Sequence, residues 1–275
     1  MGLARRCLRL TDRHCRSLRD LIALTGAGRH WRLGTESTTT GFPADMVLQA
    51  VPYTLIPVAS AIVGAAVAAY YRPGPVLVSA IQHFAAGVVF AAAAGEILPD
   101  VLHGGSAMAT LVGGTLGVGA MLLVRSLEER IKGAMGLMAI IGLDILIDGL
   151  VLGLGFAAGE RAGLLLTVAL TIEVLFLGLT LATELAEKAL SPGRVVGLTA
   201  GLVLLLPVGV LIAAPVTLLP KIYLTGFLAF GLIALLYLVT EELLVEAHEV
   251  PDRPWVTAMF FAGFLLLLLL EEATA

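Results

Sequence analysis

The sequence predicts an all-α polytopic membrane protein of eight transmembrane helices with both termini extracytoplasmic, and three observations predict it. Hydrophobic residues make up 59% of the 275 positions, charged residues only 14%, and mean hydropathy is +0.98; soluble domains carry about 25% charged residues. Apolar stretches of about 20 residues, the length that crosses a bilayer, recur from Met46 onward. Positive charge alternates between the connecting loops, which sets orientation. The period-two alternation of a transmembrane β-strand is missing.

Each helix follows from where Pro, Gly or charge closes an apolar run. The expected spans are 47–71, 76–100, 107–124, 134–158, 162–188, 195–215, 221–247 and 254–270. Pro73 and Pro75 make the first turn, and the charged stretch from Arg125 to Lys132 makes the third. Ser191-Pro192-Gly193 ends the fifth span, Pro215 and Pro220 bracket the loop after the sixth, and Pro251 and Pro254 the loop after the seventh. Arg72, Arg125, Arg130, Lys132, Lys188, Arg194 and Arg253 lie in one set of loops, against Arg161 and Lys221 in the other. Seven against two places the first set in the cytoplasm, in a membrane of the bacterial inner-membrane type.

Residues 1–45 differ from the membrane domain at 46–275. They hold eight of the seventeen Lys and Arg residues and no spanning segment, and no continuous apolar run follows the basic residues as in a signal peptide. This basic tail is expected to be disordered, and its arginines oppose the orientation set by the loops. Met46 stands immediately before the first apolar run, which makes the tail a candidate start-site extension. Cys7 and Cys15 both lie in it, so no disulfide framework supports the core, and with His14 between them they are too sparse for a zinc site.

The chemistry-bearing residues are carboxylates at membrane depth. Asp144 and Asp148 interrupt the fourth span and Glu173 the fifth. A carboxylate at mid-bilayer costs at least about 2.5–3.5 kcal/mol on insertion scales, so it faces a bundle interior and carries function. Asp144 and Asp148 are spaced i, i+4, on one helix face, where two like charges call for a cation or a shared proton. No Lys or Arg lies mid-span, so a salt bridge does not account for them. Gly149 and Gly153 make a small-xxx-small face that would let the fourth and fifth spans approach, bringing Glu173 beside the Asp pair.

Other polar residues extend this site into a ladder. Glu96, Asp100 and His103 fall at the outer end of the second span; Gln82 and His83 at its inner end; Glu184, Glu242, Glu246 and His248 toward the cytoplasm. Ligands at mouth, midplane and exit are what a cation path through a bundle requires. The plainer readings are solvation for Glu96, Asp100, Glu184, Glu187, Glu246, His248 and Glu249, helix–helix hydrogen bonds for Gln82 and His83, and a static polar bolt for the three midplane acids.

Three stretches carry a family resemblance. They are Gln82-His-Phe-Ala-Ala-Gly through Glu96-Ile-Leu-Pro-Asp100, then Asp144-x3-Asp148-Gly149-x3-Gly153, then Thr240-Glu-Glu-Leu-Leu-Val-Glu-Ala-His248. In order, over residues 47–275, they resemble the second, fourth and seventh helices of the ZIP family of divalent metal transporters. The resemblance implies metal ligands at Asp144, Asp148, Glu173 and Glu242, and the polar ladder itself supplies a candidate path through His83, Glu96, Asp100, Glu246 and His248. It further implies a divalent ion of the Zn, Fe or Mn class as substrate. No permanently bound cofactor, enzymatic activity or nucleic-acid partner is expected; the bilayer and a second copy of the chain are the candidate partners. The chain departs from the family at Asp144, where a His is usual, at Glu173, where His or Gln is usual, and at Leu177 and Leu206. Ile147 and Phe176 replace helix-breaking prolines, and a histidine-rich loop is missing.

Carboxylates without imidazole or thiolate make a hard oxygen site, which suits Mg, Ca and Mn, while affinity order still favours Zn and Fe over Mn. The leading expectation is divalent cation uptake by alternating access. Lost family histidines and prolines motivate an alternative, a transport-inactive metal sensor or assembly partner. An intramembrane aspartyl enzyme is disfavoured: its two acids sit about 3 Å apart, usually on different helices, whereas Asp144 and Asp148 share one, and no His-Glu-x-x-His occurs.

Overall fold

The computed structural model describes residues 43–71, 73–130, 134–187, 191–251 and 253–274. Nearly all of the tail, with Cys7, Cys15 and its arginines, lies outside the described residues, as do Arg72, Lys132 and Lys188. Helix begins at Pro43, a few residues before the boundary read from the sequence at Met46, because Pro is favoured in a first helical turn.

Among the described residues eight helices are long and apolar enough to cross a membrane. They are α1 (Val47–Tyr71), α2 (Pro75–His103), α3 (Ala107–Leu127), α4 (Met138–Ala158), α5 (Glu160–Leu185), α6 (Pro192–Leu218), α7 (Lys221–Ala247) and α8 (Pro254–Ala273). No strand occurs among the described residues. The protein is therefore an all-helical, multi-pass membrane protein.

Irregularities within the helices have local causes. In α1 a 3-10 turn at Val51–Thr54 contains Pro52. α6 breaks at Leu204, three residues before Pro207, whose missing N–H and ring disrupt the preceding turn. α2 and α7 each contain a π-helical segment, Ala93–Ile97 and Leu238–Leu243. Arg125 was expected in a loop, but the helix of α3 runs on through Arg130, and Arg125 pairs with Glu241 at 2.8 Å on the surface.

The helices pack in two groups. α1 lies along α5, α4 contacts α5 and α6, and α1 also meets α6; in the second group α8 lies along α2, α3 along α7, and α7 meets α2. The groups meet chiefly where α2 crosses α5 and α4 crosses α7. Within groups the helices approach through glycine. A Cβ at Gly149 would overlap the carbonyl oxygen of Leu206, and one at Gly209 that of Leu146, so α4 and α6 touch backbone to backbone. Gly64 and Gly178 join α1 to α5, Gly87 and Gly263 join α2 to α8, and Gly113 meets Gly226. The Gly149/Gly153 face thus packs on α6, not on α5 as the sequence suggested. A small-residue face announces close approach without naming the partner.

Candidate metal centre

The three acids that interrupt the fourth and fifth spans are buried. Asp144, Asp148 and Glu173 are 6%, 2% and 3% exposed, values otherwise met in the hydrophobic core of this chain. Asp144 and Asp148 share the inward face of α4 one turn apart, and Glu173 projects from α5, so two helices of one group contribute. Glu242 comes from α7 in the other group and is half-buried. It lies in the π-helical segment of α7, whose extra residue rotates the side chains that follow, a feature frequent at functional sites.

These four carboxylates are within electrostatic reach of one another. Asp144 feels Glu242, Asp148 and Glu246; Asp148 feels Glu173 and Glu242; Glu173 feels Asp144 and Glu242. A cavity of about 40 Å³ is lined by three of them, Asp144, Glu173 and Glu242, with Thr180, Glu246 and apolar neighbours; Asp148 is not part of its wall. That volume admits an ion with accompanying water. Asp148 Oδ2 and Glu173 Oε2 are buried with no hydrogen-bond partner among the described residues. Buried polar atoms are nearly always paired, so two orphaned carboxylate oxygens at one place point to a ligand that is not protein. The side chains stand around the cavity without being drawn into a coordination sphere: among the described residues no three His, Cys, Asp or Glu groups are set to hold a metal ion.

The remaining path residues fall into two clusters. Gln82 and His83 are buried on α2, and Glu246 and His248 are exposed on α7 beside them. Gln82 Nε2 donates to Glu246 Oε2 at 2.8 Å, the helix–helix hydrogen bond the sequence allowed. At the opposite end Glu96 and Asp100 are half-buried, with Glu96 in the π-helical segment of α2. Two residues the sequence did not single out join them. Glu271, in the last turn of α8, and Arg161, near the start of α5, both act electrostatically on Glu96. Arg161 Nη2 donates to the Glu271 backbone carbonyl at 2.5 Å, tying the two helix groups. A charge at the end of an apolar run reads in sequence as a solvated terminus, which is why Glu271 gave no signal. Glu184 is exposed, and the Glu187 side chain lies outside the described residues.

A larger cavity, about 420 Å³, lies elsewhere, between α3 and α7, lined by apolar residues including Met108, Leu116, Phe227 and Phe230. It holds none of the acids and no ligating chemistry; the small polar cavity is the functional candidate.

No protein-family model matches the chain, and no curated protein matches it significantly.

Proposed function

We propose that the protein is a divalent metal cation transporter that passes its substrate toward the cytoplasm by alternating access, with Asp144, Asp148, Glu173 and Glu242 as the midplane ligands. The observation that carries this reading is the pair of orphaned, buried carboxylate oxygens on Asp148 and Glu173, beside a cavity that Asp144, Glu173 and Glu242 line where two helix groups meet. A static polar bolt would show those oxygens hydrogen-bonded to a donor across the interface, and a salt bridge would need a Lys or Arg that no span carries at that depth. The resemblance to the ZIP family supports the same reading.

The chemistry follows from charge. Four carboxylates exceed one divalent ion by two negative charges, so protons or a second ion share the site when metal is bound. Metal must displace protons to enter, which couples affinity to pH. Glu96, Asp100 and Glu271 would gather cations at the extracytoplasmic end by electrostatic focusing.

Reconstitution tests it. Proteoliposomes containing the full chain should take up Mn²⁺ or Zn²⁺ down its gradient, and Glu173→Gln should abolish uptake while the protein still inserts. Wild-type protein that binds metal and carries no flux would replace transport by the sensor reading.

A further inference from the structure

α3 and α7 touch at one point and leave a groove around it. A Cβ at Gly113 would overlap the Gly226 carbonyl oxygen, so the two backbones meet there. Ala109, Gly113 and Gly226 put almost no side chain into the seam, and larger neighbours such as Leu116 and Phe230 wall a space of about 420 Å³, the size of a ligand pocket. Leu150 of α4, partly buried, also lines it.

The lining decides what can fill this space. A buried water needs about two to four polar partners, and the side chains here offer one polar atom, the Tyr223 phenol oxygen. Left empty, the walls forgo dispersion contacts. Met108, Val112, Leu116 and Ile222 are exposed, so the groove is continuous with the surface that these spans turn to lipid. Its length fits one leaflet. The lining runs from Met108 to Leu116 and from Ile222 to Phe230, about 12 Å along each helix at about 1.5 Å per residue. Both stretches begin at the start of their spans, so the groove descends from one membrane face through most of the roughly 15 Å of hydrocarbon in half a bilayer. Lys221 and Tyr223 stand exposed at that face, a basic and an aromatic residue of the kind found at headgroup level. Lys221 forms no ion pair among the described residues and the first turn of α7 holds no acid, which leaves its charge for a phosphate.

We infer that the seam between α3 and α7 holds one acyl chain of a phospholipid, drawn from the leaflet in which both helices start, with the headgroup phosphate at the level of Lys221. An ordinary boundary lipid touches one convex helix face, whereas this chain is walled by α3, α7 and α4. Leu150 follows Asp148 by two residues and so lies on the opposite side of α4 from that carboxylate. The groove is built from both helix groups, α3 and α7 of one and α4 of the other, so a bound chain favours whichever arrangement of the groups it fits. That influence on the transport cycle rests on the transport reading; the lipid site does not.

Photocrosslinking tests it. The full chain is reconstituted in phosphatidylcholine and phosphatidylglycerol vesicles that carry a trace of phosphatidylglycerol with a diazirine in its acyl chain, and adducts are mapped by mass spectrometry. Wild-type protein should be labelled at Leu150 as well as at lipid-facing positions such as Leu265 on α8. Gly226→Leu should lose the Leu150 adduct and keep that at Leu265, because its Cβ meets the Ala109 carbonyl at an ordinary 3.5 Å and the rest of the side chain fills the groove. Ala109→Leu fills the same space from α3 and should do likewise, which guards against one variant failing to fold. Label confined to lipid-facing residues without Leu150, or a Leu150 adduct undiminished in both variants, overturns the site and leaves boundary lipid only. A Leu150 adduct in protein that carries no metal flux refutes transport and keeps the site.

Discussion

Replacing Asp148 by Asn separates a ligand from a structural bolt, because the two roles move stability in opposite directions. Asp148 is 2% exposed, its Oδ2 has no partner among the described residues, and Glu173 and Glu242 act on it with like charge. An unsatisfied buried polar atom costs about 1–3 kcal/mol, more when charged. Asn keeps the shape, removes the charge and adds two donors to face neighbouring carboxylates. Without metal the variant should therefore gain about 1–2 kcal/mol, equivalent to roughly 2–8 °C in Tm for a chain of this size. With metal most of that gain is offset. A ligand at 100 times its Kd stabilises the wild type by about 2.7 kcal/mol, and a tenfold loss of affinity removes nearly half of that. Detergent thermal melts with and without 1 mM-range Mn²⁺ or Zn²⁺ read both terms in one experiment. Loss of stability in the metal-free variant, together with an undiminished metal-induced shift, would show Asp148 to be a structural bolt and refute the argument.

Further expectations concern neighbouring positions. Asp144→Asn should weaken metal binding at least tenfold more than Asp100→Asn in a titration, because Asp144 is 6% exposed while Asp100 is half-buried at a mouth where water screens its loss; equal effects would speak against a central site. Binding should release protons and weaken as pH falls, since carboxylate ligands must be deprotonated, and calorimetry in buffers of different ionisation enthalpy measures the number released. Gly149→Val would drive a side chain into the Leu206 carbonyl and should cost about 1–3 kcal/mol or more, read as a lowered melting temperature with or without metal.

Hydropathy is a one-dimensional signal, and what it governs was legible: eight spans, with 47–71 and 221–247 matched to the residue and the others to within a few positions. The burial of Asp144, Asp148 and Glu173 was legible too, because a charge in an apolar run has few places to go. The partner of the Gly149/Gly153 face was not, since close approach to α5 and to α6 asks the same of the sequence. The π-helical segments around Glu96 and Glu242 left no trace either. They depend on a shift in backbone hydrogen-bond register that no residue type marks, yet each sits at an acid of the expected path. Their positions in α2 and α7 place both irregularities in one helix group and leave the acid-bearing stretches of α4 and α5 regular.

That asymmetry bears on how the proposed transporter would work. Asp144, Asp148 and Glu173 belong to helices of one group and would move together, keeping three of the four carboxylates around the cation in any rigid displacement. Glu242 belongs to the other group, and the π-helical register that aims it at the cavity fixes it to α7. Relative motion of the groups would therefore change the ligand set by one carboxylate, from four to three, without dismantling the site. Loss of one charged ligand lowers affinity without abolishing it, as release requires. The Arg161 contact to the Glu271 carbonyl joins the same two groups at the far end, so opening there breaks one hydrogen bond and frees a cation from beside Glu96. An arriving metal ion and Arg161 would compete for that carboxylate, which links arrival of substrate to parting of the groups through charge alone.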